Sequence, residues 1–185
     1  MAISDFNLAQ HQRAARKLLI TVAEWEDENG NITITEGTST VKVSREILGR
    51  RTEDSSIEYN ADIETTTDIL GINYTDINKT QPQQDFDPYL ILGGSKLGAK
   101  LNDIRKRNAL TELDQFNLYI ITAYIGDSTN GYEAERHVNC TITYNSLGGD
   151  SNVNMPISVY FSNDSTTGTV TKLSDDFVFN PDVSV

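Results

Sequence analysis

Cysteine, histidine and basic side chains are all scarce in this sequence. Among 185 residues there is one cysteine, Cys140, and there are two histidines, His11 and His137. A single cysteine forbids an internal disulfide, so the small scaffolds that depend on disulfides drop out and a reducing compartment fits best. With two histidines, a zinc site would need carboxylates or Cys140 as further ligands, and no motif brings them together. Lysine and arginine number 15 against 27 aspartates and glutamates, for a net charge of −12 and a pI near 4.5. A protein that grips duplex DNA or anionic lipid needs cations to displace counterions, so the balance argues against either as an adhesive partner. The deficit is uneven, because residues 109–185 hold only two basic side chains, Arg136 and Lys172. Long apolar runs are missing too. The longest, Leu118 to Ile125, is far short of a bilayer, and Met1-Ala2-Ile3-Ser4-Asp5-Phe6 has no basic segment followed by an apolar run. No membrane span or export signal is expected.

What remains is ordinary for a folding chain: 37% hydrophobic and 23% charged residues, in a length that suits one domain over residues 1–185. A period of two dominates. In residues 136–144, Val138, Cys140, Ile142 and Tyr144 alternate with His137, Asn139, Thr141 and Thr143. Residues 153–161 alternate likewise, and residues 57–64 set Ile57, Tyr59, Ala61 and Ile63 against Glu58, Asn60, Asp62 and Glu64. Further strands are expected over 18–25, 32–36, 72–79, 169–173 and 177–179. Residues 118–125 are apolar on both faces, which suggests a central strand covered on each side. Turn chemistry at 27–31, 126–131 and 148–150 separates these segments. One helix is expected from Ser95 to about Asn108: Ser95 can cap it, Leu97, Leu101 and Ile104 recur at helical spacing, and Arg105-Lys106-Arg107 suit its C-terminal end. Residues 7–16 read as a second short helix or as part of a flexible N-terminal arm over 1–16. Residues 45–56 read as an exposed loop. The fold class is therefore mainly β (α+β), an antiparallel sandwich or barrel with one flanking amphipathic helix.

Catalytic chemistry is hard to find. Cys140 lies among apolar neighbours with no base on its face, which suits a buried small hydrophobe. Gly93-Gly94-Ser95-Lys96-Leu97-Gly98 lacks the spacing of a phosphate loop, and Asp27-Glu28-Asn29-Gly30-Asn31 lacks the Gly and distal Glu of a calcium loop. Carboxylate pairs such as Glu133 and Glu135 arise by composition in so acidic a chain. Glycosylation sequons at Asn31, Asn73, Asn78, Asn139 and Asn163 reflect Asn and Thr enrichment on polar strand faces. The expectation is a structural or binding protein that is not an enzyme and needs no cofactor or metal.

The polar strand faces are distinctive. Glu58-x-Asn60-x-Asp62-x-Glu64 and His137-x-Asn139-x-Thr141-x-Thr143 carry small polar or acidic groups and no Lys or Arg. Solvated sheet faces usually mix charge signs, so these faces suit either plain solvent exposure or the wall of a water-filled channel.

Residues 64–82, Glu64-Thr65-Thr66-Thr67-Asp68-Ile69-Leu70-Gly71 through Lys79-Thr80-Gln81-Pro82, are followed by Phe86-Asp87-Pro88-Tyr89 and Gly93-Gly94-Ser95-Lys96-Leu97. This order resembles the major tail tube proteins of long-tailed bacteriophages and phage-tail-like particles. The resemblance implies a virion (tail) protein made in the host cytoplasm, which closes into hexameric rings that stack into a tube and meets other tail proteins at the tube ends. DNA passes through such a tube without sequence-specific binding, and an acidic lumen would keep it from sticking. Read in that light, Glu58, Asn60, Asp62 and Glu64 are candidates to face the lumen. Arg50, Arg51, Lys100, Arg105 and Arg107 are candidates for contacts between subunits. The alternative is a β-sandwich binding module of a virion or cell surface, taking a receptor or carbohydrate, with Trp25 and scattered tyrosines as its contacts.

Overall fold

The computed structural model describes residues 7–9, 11–36, 39–52 and 54–182. Residues 1–6 of the expected N-terminal arm lie outside that set. Among the described residues, twelve strands and one α-helix make the protein mainly β, with every strand pair antiparallel. Ten strands join one sheet, and two form a separate ribbon.

The sheet is built around β8 (Phe116–Asp127). Its run of apolar residues on both faces is satisfied as expected. Leu118 and Ile120 point to one core with Ala23, Trp25, Phe116, Ile142, Ile157 and the helix, while Tyr119 and Ile121 point to a second with Val22, Ala134, Val170 and Phe177. On one side of β8 lie β1 (Leu19–Glu26), then β3 (Ser39–Ile47), then β2 (Ile32–Glu36) at the edge. On the other side lies β9 (Gly131–Tyr144), a long strand with two successive partners. Residues 132–137 of β9 pair with β11 (Ser165–Val170), which carries β12 (Phe179–Pro181). Residues 141–144 pair with β10 (Ile157–Tyr160), which continues to β7 (Gln83–Phe86) and β4 (Ile57–Glu58). Between the two halves Asn139 takes a left-handed conformation (φ 54°), and the β8–β9 register shifts between Phe116 and Leu118. This bulge changes the expected alternation. His137 is buried on the face it shares with Cys140, and Val138 falls on the other, half-buried, so the polar row through His137 does not form.

Helix α1 (Lys96–Arg107) forms where its spacing predicts. Leu97, Leu101 and Ile104 are fully buried, Ser95 Oγ accepts from the Gly98 amide, and Asn108 closes the C-terminus at φ 55°. A carboxylate from the sheet completes its N-terminus: Glu46 Oε2 accepts the Leu97 amide at 2.9 Å, and Glu46 Oε1 accepts the hydroxyls of Ser95 and Tyr89.

Several segments differ from expectation. The described residues of 7–16 form no α-helix; a 3-10 turn covers Arg16–Leu18, and Asn7 is tied to the Ala123, Tyr124 and Gly126 carbonyls of β8. The expected loop over 45–56 begins inside β3, where Arg45 is in the core. It ends at a buried Ser55, whose hydroxyl donates to the Asp85 carbonyl. In residues 153–161 the core face of Met155, Ile157, Val159 and Phe161 holds, but Val153 is exposed because the strand starts after Pro156, which lacks an amide for the ladder. The single strand expected over 57–64 is broken. Asn60 sits at φ 41°, Tyr59 and Ile63 are more than half exposed, and β4 ends at Glu58 before β5 (Asp62–Thr67) begins.

Candidate functional site

β5 pairs with β6 (Asn73–Lys79) and with nothing else, so the two strands stand off the main sheet as a ribbon. Local chemistry shapes its turn. Asp68 Oδ1 accepts the amides of Leu70 and Ile72, the Asp68 amide donates to the Ile72 carbonyl, and Gly71 supplies φ 77°. Those amides hold the Asp68 carboxyl below its ordinary pKa. Cross-strand polar bonds continue down the ladder, with Thr67 Oγ1 donating to Asn73 Oδ1 at 2.6 Å.

The register sorts the ribbon into two faces. Ile63 lies opposite Ile77, Thr65 opposite Thr75 and Thr67 opposite Asn73, which makes one face uncharged. Glu64 lies opposite Asp76 and Thr66 opposite Tyr74, and across a bulge Asp62 lies opposite Lys79, so the other face carries three carboxylates and one cation at its base. At the tip Ile69, Leu70 and Ile72 are strongly exposed, Ile69 completely so. A ribbon of two strands with no sheet behind it is marginal in water, and contiguous exposed apolar side chains mark a surface that meets another molecule.

The four lumen candidates are all exposed, but they do not share one strand. Glu58 is on β4 opposite Gln83, Asn60 is in the break with its amide donating to the Gln81 carbonyl, and Asp62 and Glu64 are on β5. The alternation argument that set them against a buried face fails with Tyr59 and Ile63 exposed. Asp76 was missed. The segment 72–79 reads as a strand in the sequence, but only the hairpin register places its carboxylate across from Glu64.

The basic candidates divide as well. Arg50 and Arg51 lie exposed on the turn after β3. Lys100 and Arg107 are held by their own chain: Glu112, in the 3-10 turn Leu110–Glu112, accepts from Lys100 Nζ at 2.6 Å and from Arg107 Nη1 at 2.8 Å, and Asp103 also takes Arg107. These contacts, Arg107 first, lower the pKa of Glu112 to about 2. Arg105 is exposed and donates locally, to Asn102.

Among the described residues, no group of three or more His, Cys, Asp or Glu side chains is placed to hold a metal ion. Burial pushes the Cys140 thiol up, and its sulfur accepts the Ser162 amide at 3.3 Å. No helix among the described residues is long and apolar enough to cross a membrane.

No family model and no curated protein matches this chain. Among solved structures, the chain is similar to one from the cap that terminates the tube of the anti-feeding prophage, at 13% identity and TM-score 0.46, covering 91% of this chain and 99% of that one. It is also similar to one from the six-fold symmetrised baseplate of the same particle, at 10% identity and TM-score 0.42, covering 90% and 100%.

Proposed function

We propose that this protein is a structural subunit of a phage-tail-like tube, which associates with copies of itself into hexameric rings and stacks, and that it is not an enzyme. The observation that carries the reading is the free-standing β5–β6 ribbon. It presents the Thr66-Thr67-Asp68-Ile69-Leu70-Gly71 motif of the tail-tube resemblance, and among the described residues it leaves Ile69 and Leu70 strongly exposed and Ile63, Ile72 and Ile77 half exposed or more. Burial of these side chains against a neighbouring copy would satisfy both the apolar surface and the open edges of the ribbon. The acidic face, with Glu64 opposite Asp76 and with Asp62 opposite Lys79 at its base, would then remain in water, next to Glu58 on β4. Repeated around a ring it would line a lumen that repels the DNA passing through. Other tail proteins would meet the tube at its ends.

Negative-stain imaging and light scattering of the purified protein test this. Rings or tubes are expected from the native chain. The variant I69S/L70S/I72S should stay monomeric with an unchanged circular dichroism spectrum. A native chain that stays monomeric at every concentration, or a variant that assembles equally well, overturns the proposal. The first outcome would point to the binding-module alternative.

A further inference from the structure

We propose that His137 is a pH-sensitive latch at the corner where β9 passes from one partner strand to the next. The imidazole is nearly buried, at 6% exposure, beside the ring of Phe161. Its Nδ1 lies 2.8 Å from the Ser162 carbonyl, and its Nε2 lies 3.4 Å from Glu135 Oε2. Nδ1 is hydrogen-bonded, while Nε2 is buried without a hydrogen bond and has the Glu135 carboxylate at ion-pair distance. A neutral imidazole leaves one nitrogen's lone pair against an oxygen, whereas the imidazolium donates at Nδ1 and places its charge beside the carboxylate.

The position makes this matter. His137 is the last β9 residue paired with β11, opposite Ser165, and the bulge at Asn139 follows immediately. The connection from β10 to β11 crosses at this point, held by the Val138 amide donating to the Asp164 carbonyl, the Ser162 hydroxyl donating to the Val138 carbonyl, and the Ser162 amide on Cys140 Sγ. His137 thus clamps the 161–164 connection at the place where the sheet divides.

The ionisable surroundings are few. β9 contributes Glu135 and the Cys140 thiol, and the connection contributes Asp164. β8 places Leu118 opposite and β11 places Ser165, neither of which titrates. Arg136 is turned to the other face, toward Glu24. Burial works against the charged ring, but Glu135 and the Ser162 carbonyl favour it, and the balance lifts the His137 pKa above its ordinary value. His137, chiefly, lowers that of Glu135. A raised histidine pKa contributes stability that is complete below the unfolded value of about 6.5 and is lost as pH rises through the folded one. A lowered glutamate pKa contributes stability above about 4.3 that is lost as pH falls through its folded value. The latch is tightest between the two.

NMR titration of the His137 ring, assigned with H137Q, in the native and urea-unfolded chain is the direct measurement. The native midpoint should be the higher, and protection factors of the Val138 and Ser162 amides should fall above it while those of residues 132–135 hold. A native midpoint at or below the unfolded one overturns the proposal, as does an even loss of protection along β9. E135Q provides a second test that does not depend on the folding of H137Q: it should lower the His137 midpoint, and an unchanged midpoint overturns the latch.

Discussion

Arg45 Nε lies 2.6 Å from Glu24 Oε2, and the two side chains are 2% and 0% exposed. Neighbouring strands complete the pair. Tyr119 and Asn117 donate to the same carboxylate, Arg136 approaches it at 3.7 Å, and Arg45 also donates to the Phe177 carbonyl while stacking over the Phe177 ring at 4.1 Å. A buried ion pair brings little net stability over an apolar replacement, but removal of one partner strands the other charge. R45M leaves Glu24 with only the more distant Arg136 as counter-charge, so it should cost up to about 3–5 kcal/mol, read from urea denaturation. The double variant E24Q/R45M should recover much of that loss. If the double variant is as unstable as R45M, the stranded charge is not the cause.

A second carboxylate docks the helix. Glu46 caps the α1 amide of Leu97 from β3, a strand 51 positions away in sequence, and together with burial it raises the Tyr89 phenol well above its ordinary pKa. E46A should cost about 0.5–2 kcal/mol, the usual range for loss of a cap. Because α1 packs Leu97, Leu101 and Ile104 on the sheet, the loss should appear in global unfolding rather than as fraying alone. A thermal midpoint equal to that of the native chain counts against the cap.

The basic side of α1 separates two roles that look alike in the sequence. Arg107 is engaged by Asp103 and Glu112, so R107E, which removes both pairs and sets like charges together, should lower monomer stability, and less so at high salt. Arg105 meets no acidic side chain among the described residues, so R105E should leave the monomer unchanged and slow assembly at low salt only. The Glu112 contribution to stability is complete above its unfolded pKa and disappears as pH falls toward about 2. Melting curves from pH 7 down to 2, compared with E112Q, measure it; identical curves at pH 7 would deny the contact any role.

Charge on the ribbon tests the lumen reading. E58K/D62K/E64K/D76K changes exposed side chains, so monomer stability should move by about 0.5 kcal/mol per site or less. Assembled tubes of the variant should retain DNA in a gel-shift assay at low salt and release it as salt rises, whereas native tubes should not retain it. Equal behaviour of the two tubes, or an assembled structure with these side chains on the outer wall, removes the lumen assignment.

Patterns of two and of three to four residues determined a good deal of this protein on their own. They located the doubly covered β8, the core face of β10 and the buried stripe of α1, because each of those faces follows from local backbone periodicity. The acidic, cysteine-poor composition and the motif run through residues 64–97 were legible in the same way. Tertiary structure decided what periodicity cannot carry. One left-handed residue at Asn60 broke an apparently continuous strand, and another at Asn139 turned His137 inward, since a one-residue irregularity exchanges every side chain beyond it between faces. Pairing register brought Asp76 opposite Glu64, and Glu24, Arg45 and Glu46 found their partners on elements far apart in the chain. Such contacts depend on which strands become neighbours, and only the folded sheet specifies that.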